Sequence, residues 1–243
     1  MTTTNDTPTT ERAVADSDPG DGGPLPAFVD WVIGAVVALG GLLSLVGGSA
    51  VVALVGREQL AEGISEGTVT VTVFTTELTE AETLDVADAV TTWTGTGLLV
   101  TGAAMVLFAV GYVLLRHRAR SRTDGQVSSY PTHALLGALA AAVLSFVPFS
   151  PAAGGALAGY LEQGQSGRTV SVGGVSGLLA ALPVLAIVVF ALGGTVAGLS
   201  GIGQGGLAMV TAAMTVFVLA AVATIGAGLG ALGGYVGGIL ASD

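Results

Sequence analysis

The sequence predicts an all-α membrane protein of about five transmembrane helices, the third broken at Pro148 and Pro151, with a small acidic extracellular loop. Three observations predict it. The 243 residues are 51% hydrophobic and only 10% charged, against roughly 25% charged in an ordinary soluble domain. The charges cluster between long uncharged stretches of Ala, Val, Leu and Gly. Those stretches are long enough to cross about 30 Å of hydrocarbon, and the mean hydropathy is +0.81.

Residues 1–27 are rich in Thr, Asp, Pro and Gly. They lack the apolar residues a core needs and read as a disordered acidic tail. A single membrane domain over 28–242 follows. The first span is read over 31–55, with Trp31 at the headgroup level where an indole belongs. Gly40, Ser44 and Gly48 recur every four residues there, so one face is smooth enough for close helix contact.

The outer loop, 56–92, carries eight acids against Arg57. Residues 57–66 read as a short amphipathic helix. Residues 68–73 alternate Thr and Val with period two and read as a strand. Thr79 and Glu82 have capping-box spacing, which starts a helix near Glu80 that runs into the second span, 93–115. Glu77, Glu80, Glu82, Asp85 and Asp88 read as a solvated acidic face rather than a cation site, because no loop of defined ligand spacing accompanies them.

Arg116, Arg118, Arg120 and Arg122 follow the second span directly. Arginines at a membrane exit mark the cytoplasmic side. They anchor the topology, make loop 116–133 cytoplasmic and place the N-terminus inside. The third span, 134–161, contains Pro148 and Pro151, which remove backbone donors and must kink or break a helix. Either one broken helix crosses, or two half-helices enter and return on the cytoplasmic side. A crossing is expected, since each half alone is short. The fourth span is 173–199, with a kink at Pro183, and the fifth is 206–240. Gly226, Gly230, Gly234 and Gly238 give the fifth a zipper-like glycine face. The heptapeptide 155–161 (GALAGYL) is echoed at 230–236 (GALGGYV). In a five-pass order both copies end on the outer side. Gly154, Gly155 and Gly159 join Gly230, Gly234 and Gly238 as expected packing positions.

The block from Leu144 through Pro151, followed by 154–161 (GGALAGYL), 172–179 (VGGVSGLL) and 230–235 (GALGGY), resembles a haloarchaeal multi-pass membrane domain of unknown function. The resemblance covers about 125–240. It implies a plasma membrane location in a halophile and no known activity, ligand or catalytic residue. The acid-rich, lysine-free composition independently suits a salt-loving source.

Chemistry is sparse. There is no cysteine. The spans as bounded here hold no Asp, Glu, Lys, Arg or His, so a proton relay is not expected. The glycines of 201–206 follow a membrane helix rather than a strand, which argues against a dinucleotide fingerprint. His117 and His133 read as loop histidines, with only Asp124 near. Ser145 and Ser150 have no base at their depth to activate them. No catalytic residue, metal or cofactor is expected. The basic footprint is too small for nucleic acid. Expected partners are the lipid bilayer and either a second copy or another membrane protein. The reading is a non-enzymatic structural or accessory protein. The alternative is a channel or transporter for a neutral or weakly polar solute.

Overall fold

Helices dominate the computed structural model, which describes residues 26–68, 72–73, 76–122, 129–146, 148–162 and 166–242. The acidic tail and Asp124 lie outside the described residues. Seven helices are described: α1 (Ala27–Leu54), α2 (Arg57–Ser65), α3 (Glu80–Arg122), α4 (Tyr130–Val143), α5 (Ser150–Glu162), α6 (Ser166–Gly201) and α7 (Gly205–Leu240). Of the Thr/Val alternation, Thr72–Val73 (β1) pairs antiparallel with Thr76–Glu77 (β2). Four helices, α1, α3, α6 and α7, are long and apolar enough to cross a membrane.

The segment before α3 reads locally. Thr79 and Glu82 form the reciprocal cap, with the Thr79 amide donating to Glu82 Oε2 at 2.9 Å and the Glu82 amide to Thr79 Oγ1 at 3.4 Å. From that cap α3 runs 43 residues without interruption, about 64 Å at the helical rise. It therefore overshoots the hydrocarbon and carries acids at one end and arginines at the other.

Helices α1 and α3 lie antiparallel, and their contact runs through Gly34, Gly41 and Gly48 at seven-residue spacing. A Cβ at Gly41 or Gly48 would stand 2.8 Å from the carbonyl oxygen of Gly102 or Gly95. Ser44 lies on the same face and donates to the Leu98 carbonyl at 2.9 Å. Gly40 sits at the margin, near the end of the Met105 side chain. The seam thus follows a seven-residue rather than a four-residue period, as for helices crossing at a shallow left-handed angle.

Residues 134–161 form two helices rather than one rod. The α4 helix stops at Val143 and α5 starts at Ser150. Between them Pro148 is exposed, and Phe149 adopts φ 65°, a strained value for a residue with a side chain. Pro151 falls in the first turn of α5, where its missing N–H removes no helical bond. The two helices fold back on each other. A Cβ at Gly137 would meet the Gly154 carbonyl at 2.5 Å and the Ala158 Cβ at 2.8 Å. Ala134, Ala158 and Val172 form a buried apolar cluster where this hairpin meets α6.

Pro183 lies inside α6, which remains one helix across it. The α6–α7 link is short, with Gly203 at φ 82°, a conformation glycine adopts freely. The two helices run antiparallel, and α5 lies parallel to α7. These pairings place the starts of α1, α4 and α6 and the ends of α3, α5 and α7 on one face. The GALAGYL and GALGGYV copies therefore end on the Arg116 face. The five-pass order put them on the opposite face. The difference arises because the α4–α5 hairpin doubles back.

Candidate functional site

The shared face buries the polar groups that the sequence placed in loops. Helix α1 begins at Ala27, so Asp30 sits one turn inside it and is only 4% exposed. Its Oδ1 accepts from the Tyr112 hydroxyl at 2.9 Å, and Arg116 Nε lies 3.3 Å from each carboxylate oxygen. Arg120 donates to Oδ2 through Nε at 3.1 Å and NH2 at 2.8 Å. Thr132 on α4 completes the group, with its hydroxyl 3.1 Å from that of Tyr112. A buried carboxylate needs such partners. The cluster ties α1, α3 and α4 together and carries two guanidinium groups against one carboxylate.

The four arginines thus divide. Arg116 and Arg120, one helical turn apart, point at α1, while Arg118 and Arg122 are exposed. Sequence reasoning treated all four as surface anchors. The missed signal is that Asp30 immediately precedes one span and Arg116 immediately follows its antiparallel neighbour. Such a hairpin brings both to the same level.

A second cluster closes the α4–α5 hairpin. His133 Nδ1 lies 2.9 Å from Glu162 Oε2, and both side chains are buried. Arg168 NH2 reaches Glu162 Oε1 at 3.0 Å and lies over the Tyr130 ring, 6.0 Å from its centroid. The Tyr130 hydroxyl donates to Ser171 Oγ at 3.3 Å. His133 was expected in a solvated loop without a suitable partner. The reversal of the chain supplies one, 29 residues away. This geometry clasps helix ends, since neither side chain faces open space. His117 is exposed. Among the described residues, no three His, Asp or Glu side chains lie close enough to hold a metal ion.

The packing glycines converge on α7. A Cβ at Gly155 would collide with the Gly230 backbone, and one at Gly159 with that of Gly234. The two copies of the repeated heptapeptide therefore lie side by side, glycine against glycine. Gly230 and Gly234 also meet α6, at Gly173 and at the Thr169 carbonyl, while a Cβ at Gly238 would stand 2.7 Å from Thr169 Oγ1. Gly154 packs on Gly137 and Ala141. Sequence reasoning missed Gly233 and Gly237, which press on the Ala152 and Ala156 carbonyls of α5. The signal was present in the doublets Gly233–Gly234 and Gly237–Gly238. Neighbouring helix residues face directions about 100° apart, so each doublet serves two partners.

On the opposite face, Arg57 forms an ion pair with Asp85, and its NH1 lies 3.6 Å from Asp88. The hydrogen bond to Asp85 pushes the Arg57 pKa up. The Thr79 amide, and then its hydroxyl, hold the Glu82 carboxyl below its ordinary value.

Residues 132–240 match a family of unknown function (DUF5518). No curated protein and no solved structure matches the chain. The matched segment runs from the first turn of α4 to the end of α7 and thus contains the hairpin, His133 and Glu162, and the glycine contacts among α4, α5, α6 and α7, but not those between α1 and α3.

Proposed function

We propose that the chain is a non-enzymatic scaffold or accessory protein of the plasma membrane. In this reading α1, α3, α6 and α7 cross the bilayer, and the α4–α5 hairpin enters and leaves from the cytoplasmic side. The observation that carries it is the backbone-on-backbone seating of α5 against α7, which makes a rigid body of helices belonging to both the hairpin and the crossing set. Arg118 and Arg122, exposed at the shared face, support a cytoplasmic position for it and for the start of α1. Helix α4 has 14 residues, about 21 Å, which is short of the hydrocarbon thickness. The break between Val143 and Ser150, with Pro148 exposed within it and Pro151 in the first turn of α5, supports the return of the chain. The acid-rich, lysine-free outer segment supports a salt-loving source.

Topology is testable because the chain has no native cysteine. In intact cells, an impermeant maleimide labels Gly67→Cys and leaves Ser242→Cys unlabelled. Labelling of both would restore five crossings. For the scaffold role, Gly234→Leu shifts the mass of the complex extracted in mild detergent, and an unchanged complex would sink it. A transporter for a neutral or weakly polar solute is the second reading, favoured by the non-helical residues 144–146 and 148–149, because such backbone at membrane depth is tolerated beside a water-filled cavity. It requires Ser145→Cys to react with water-soluble thiol reagents.

A further inference from the structure

The face of α3 that turns away from α1 ends in two guanidinium groups. Arg116 and Arg120 point at α1, where Asp30 holds them. Arg118 and Arg122 each follow one of these by two residues, about 200° around the helix, and both are exposed. They lie one turn apart and share a face. The grip of Asp30 on one side of α3 therefore fixes the rotation that presents this pair on the other.

Of the six arginines among the described residues, four have carboxylate partners. Arg57 pairs with Asp85, Arg116 and Arg120 with Asp30, and Arg168 with Glu162. Arg118 and Arg122 form no ion pair among the described residues. Carboxylates are not scarce, with 17 Asp and Glu against 7 Lys and Arg. Two neighbouring cations without a carboxylate of the described helices suit an anion from outside.

The level of the pair and the surface beside it identify that anion. Trp31 adjoins Asp30, is 65% exposed and belongs at the headgroup level. Arg116 meets Asp30 and lies at the same level. Arg118 and Arg122 stand about 3 and 9 Å beyond it along α3. Helical side chains lean toward the helix N-terminus, which at this end of α3 is back toward the bilayer. In that direction the same face carries Leu114, Gly111 and Leu107. Leu107 is 73% and Leu114 51% exposed, and a Cβ at Gly111 would meet nothing within 4 Å. An open apolar track about 16 Å long thus leads up to the two charges. A dissolved anion would use only the charges, whereas a phosphodiester carrying hydrocarbon uses both. Guanidinium groups bind phosphate oxygens through paired, charge-assisted hydrogen bonds.

We propose that Arg118 and Arg122 bind the phosphate of an anionic phospholipid, with an acyl chain lying along Leu114, Gly111 and Leu107. The inference goes beyond the scaffold role and takes from that reading only the crossing of α3.

Two lipids with identical chains isolate the charge. Full-length protein in mild detergent is titrated with dioleoyl phosphatidylglycerol and with dioleoyl phosphatidylcholine, and bound lipid is counted by native mass spectrometry. Wild type holds the anionic lipid about 25-fold more tightly, from about fivefold for each guanidinium. The double variant Arg118→Gln, Arg122→Gln loses that preference and keeps its affinity for the zwitterionic lipid. Arg116 and Arg120 remain in it to hold the orientation, which maleimide labelling of Gly67→Cys in intact cells verifies. Arg57→Gln, at the other end of the bundle, leaves the preference intact. Equal affinity of wild type for the two lipids would overturn the proposal, as would a preference that survives in the double variant. So would displacement of the anionic lipid by equimolar inorganic phosphate, because the chains would then contribute nothing. So would a preference that emerges only with Asp16→Asn, Asp18→Asn and Asp21→Asn, because the occupant would then be the chain's own acidic segment. A wild-type preference lost while Gly67→Cys is still labelled sinks this proposal alone, whereas an unlabelled Gly67→Cys sinks the crossing and the proposal together.

Discussion

The α1–α3 pair and the α5–α6–α7 group both pack through glycines, but they use them differently. At Gly41 the three atoms nearest a would-be Cβ are one carbonyl oxygen and side-chain atoms of Val106 and Met105. At Gly155 all three belong to the Gly230 backbone, and at Gly230 all three belong to Gly173 and Gly177. A side chain can change rotamer to admit a methyl group, whereas a helix backbone moves only as a unit. The α1–α3 seam therefore mixes backbone contacts, as at Gly48 and Gly102, with side-chain contacts at Gly34 and Gly41, whereas Gly155, Gly159, Gly230 and Gly234 meet backbone alone. In lipid, where no hydrophobic force drives helices together, such close approach supplies van der Waals contact directly.

Substitution by alanine tests this contrast. Gly230→Ala should be the most damaging, because its Cβ would strike α6 at a contact that also seats α5. A loss above about 4 kcal/mol is expected, the range of severe core disruption, read as failure to recover folded protein in detergent. Asp30→Asn should come next. It leaves Arg116 and Arg120 partly buried against a neutral partner, at a cost of about 3 kcal/mol, measured by thermal unfolding. Gly41→Ala should cost only about 1–3 kcal/mol, the ordinary penalty of overpacking. If Gly41→Ala matched Gly230→Ala, the distinction between the two regions would fail.

The smallest effect is local and depends on pH. The Glu82 carboxyl, outside the membrane, is held below its ordinary value of 4.5 by the Thr79 amide and hydroxyl. Its contribution to the start of α3 is therefore present above that value and lost as pH falls through the lowered one. The Thr79 amide resonance should move over that acidic window and stay fixed in Glu82→Gln.

Much of the fold is local and could be read from the chain. Thr79 and Glu82 announce the start of α3, and uncharged stretches mark the helices that can cross. The sense of the 134–161 segment was not readable in this way. Its length suits one tilted crossing, and Pro148 and Pro151 interrupt a helix without saying which way the next one runs. The direction follows from contacts with α6 and α7, far along the sequence. The polar clusters were hidden for the same reason. Asp30, His133 and Glu162 each lie within a residue of an expected span boundary, where a sequence reading assigns them to water. Helices that begin one turn earlier, and a chain that doubles back, draw them inside. The glycine doublets were visible, but only the structure shows that they serve two neighbours at once.

The seating of α5 on α7 also bears on the order in which the protein is made. Helix α5 has 13 residues, too few to cross alone, and it displays a glycine ridge that fits no lipid tail well. Its partner emerges from the ribosome more than forty residues later. Until then the glycine face of α5 lacks the backbone it rests on in the folded chain. The seat of α5 is therefore complete only once the whole of α7 has been synthesised.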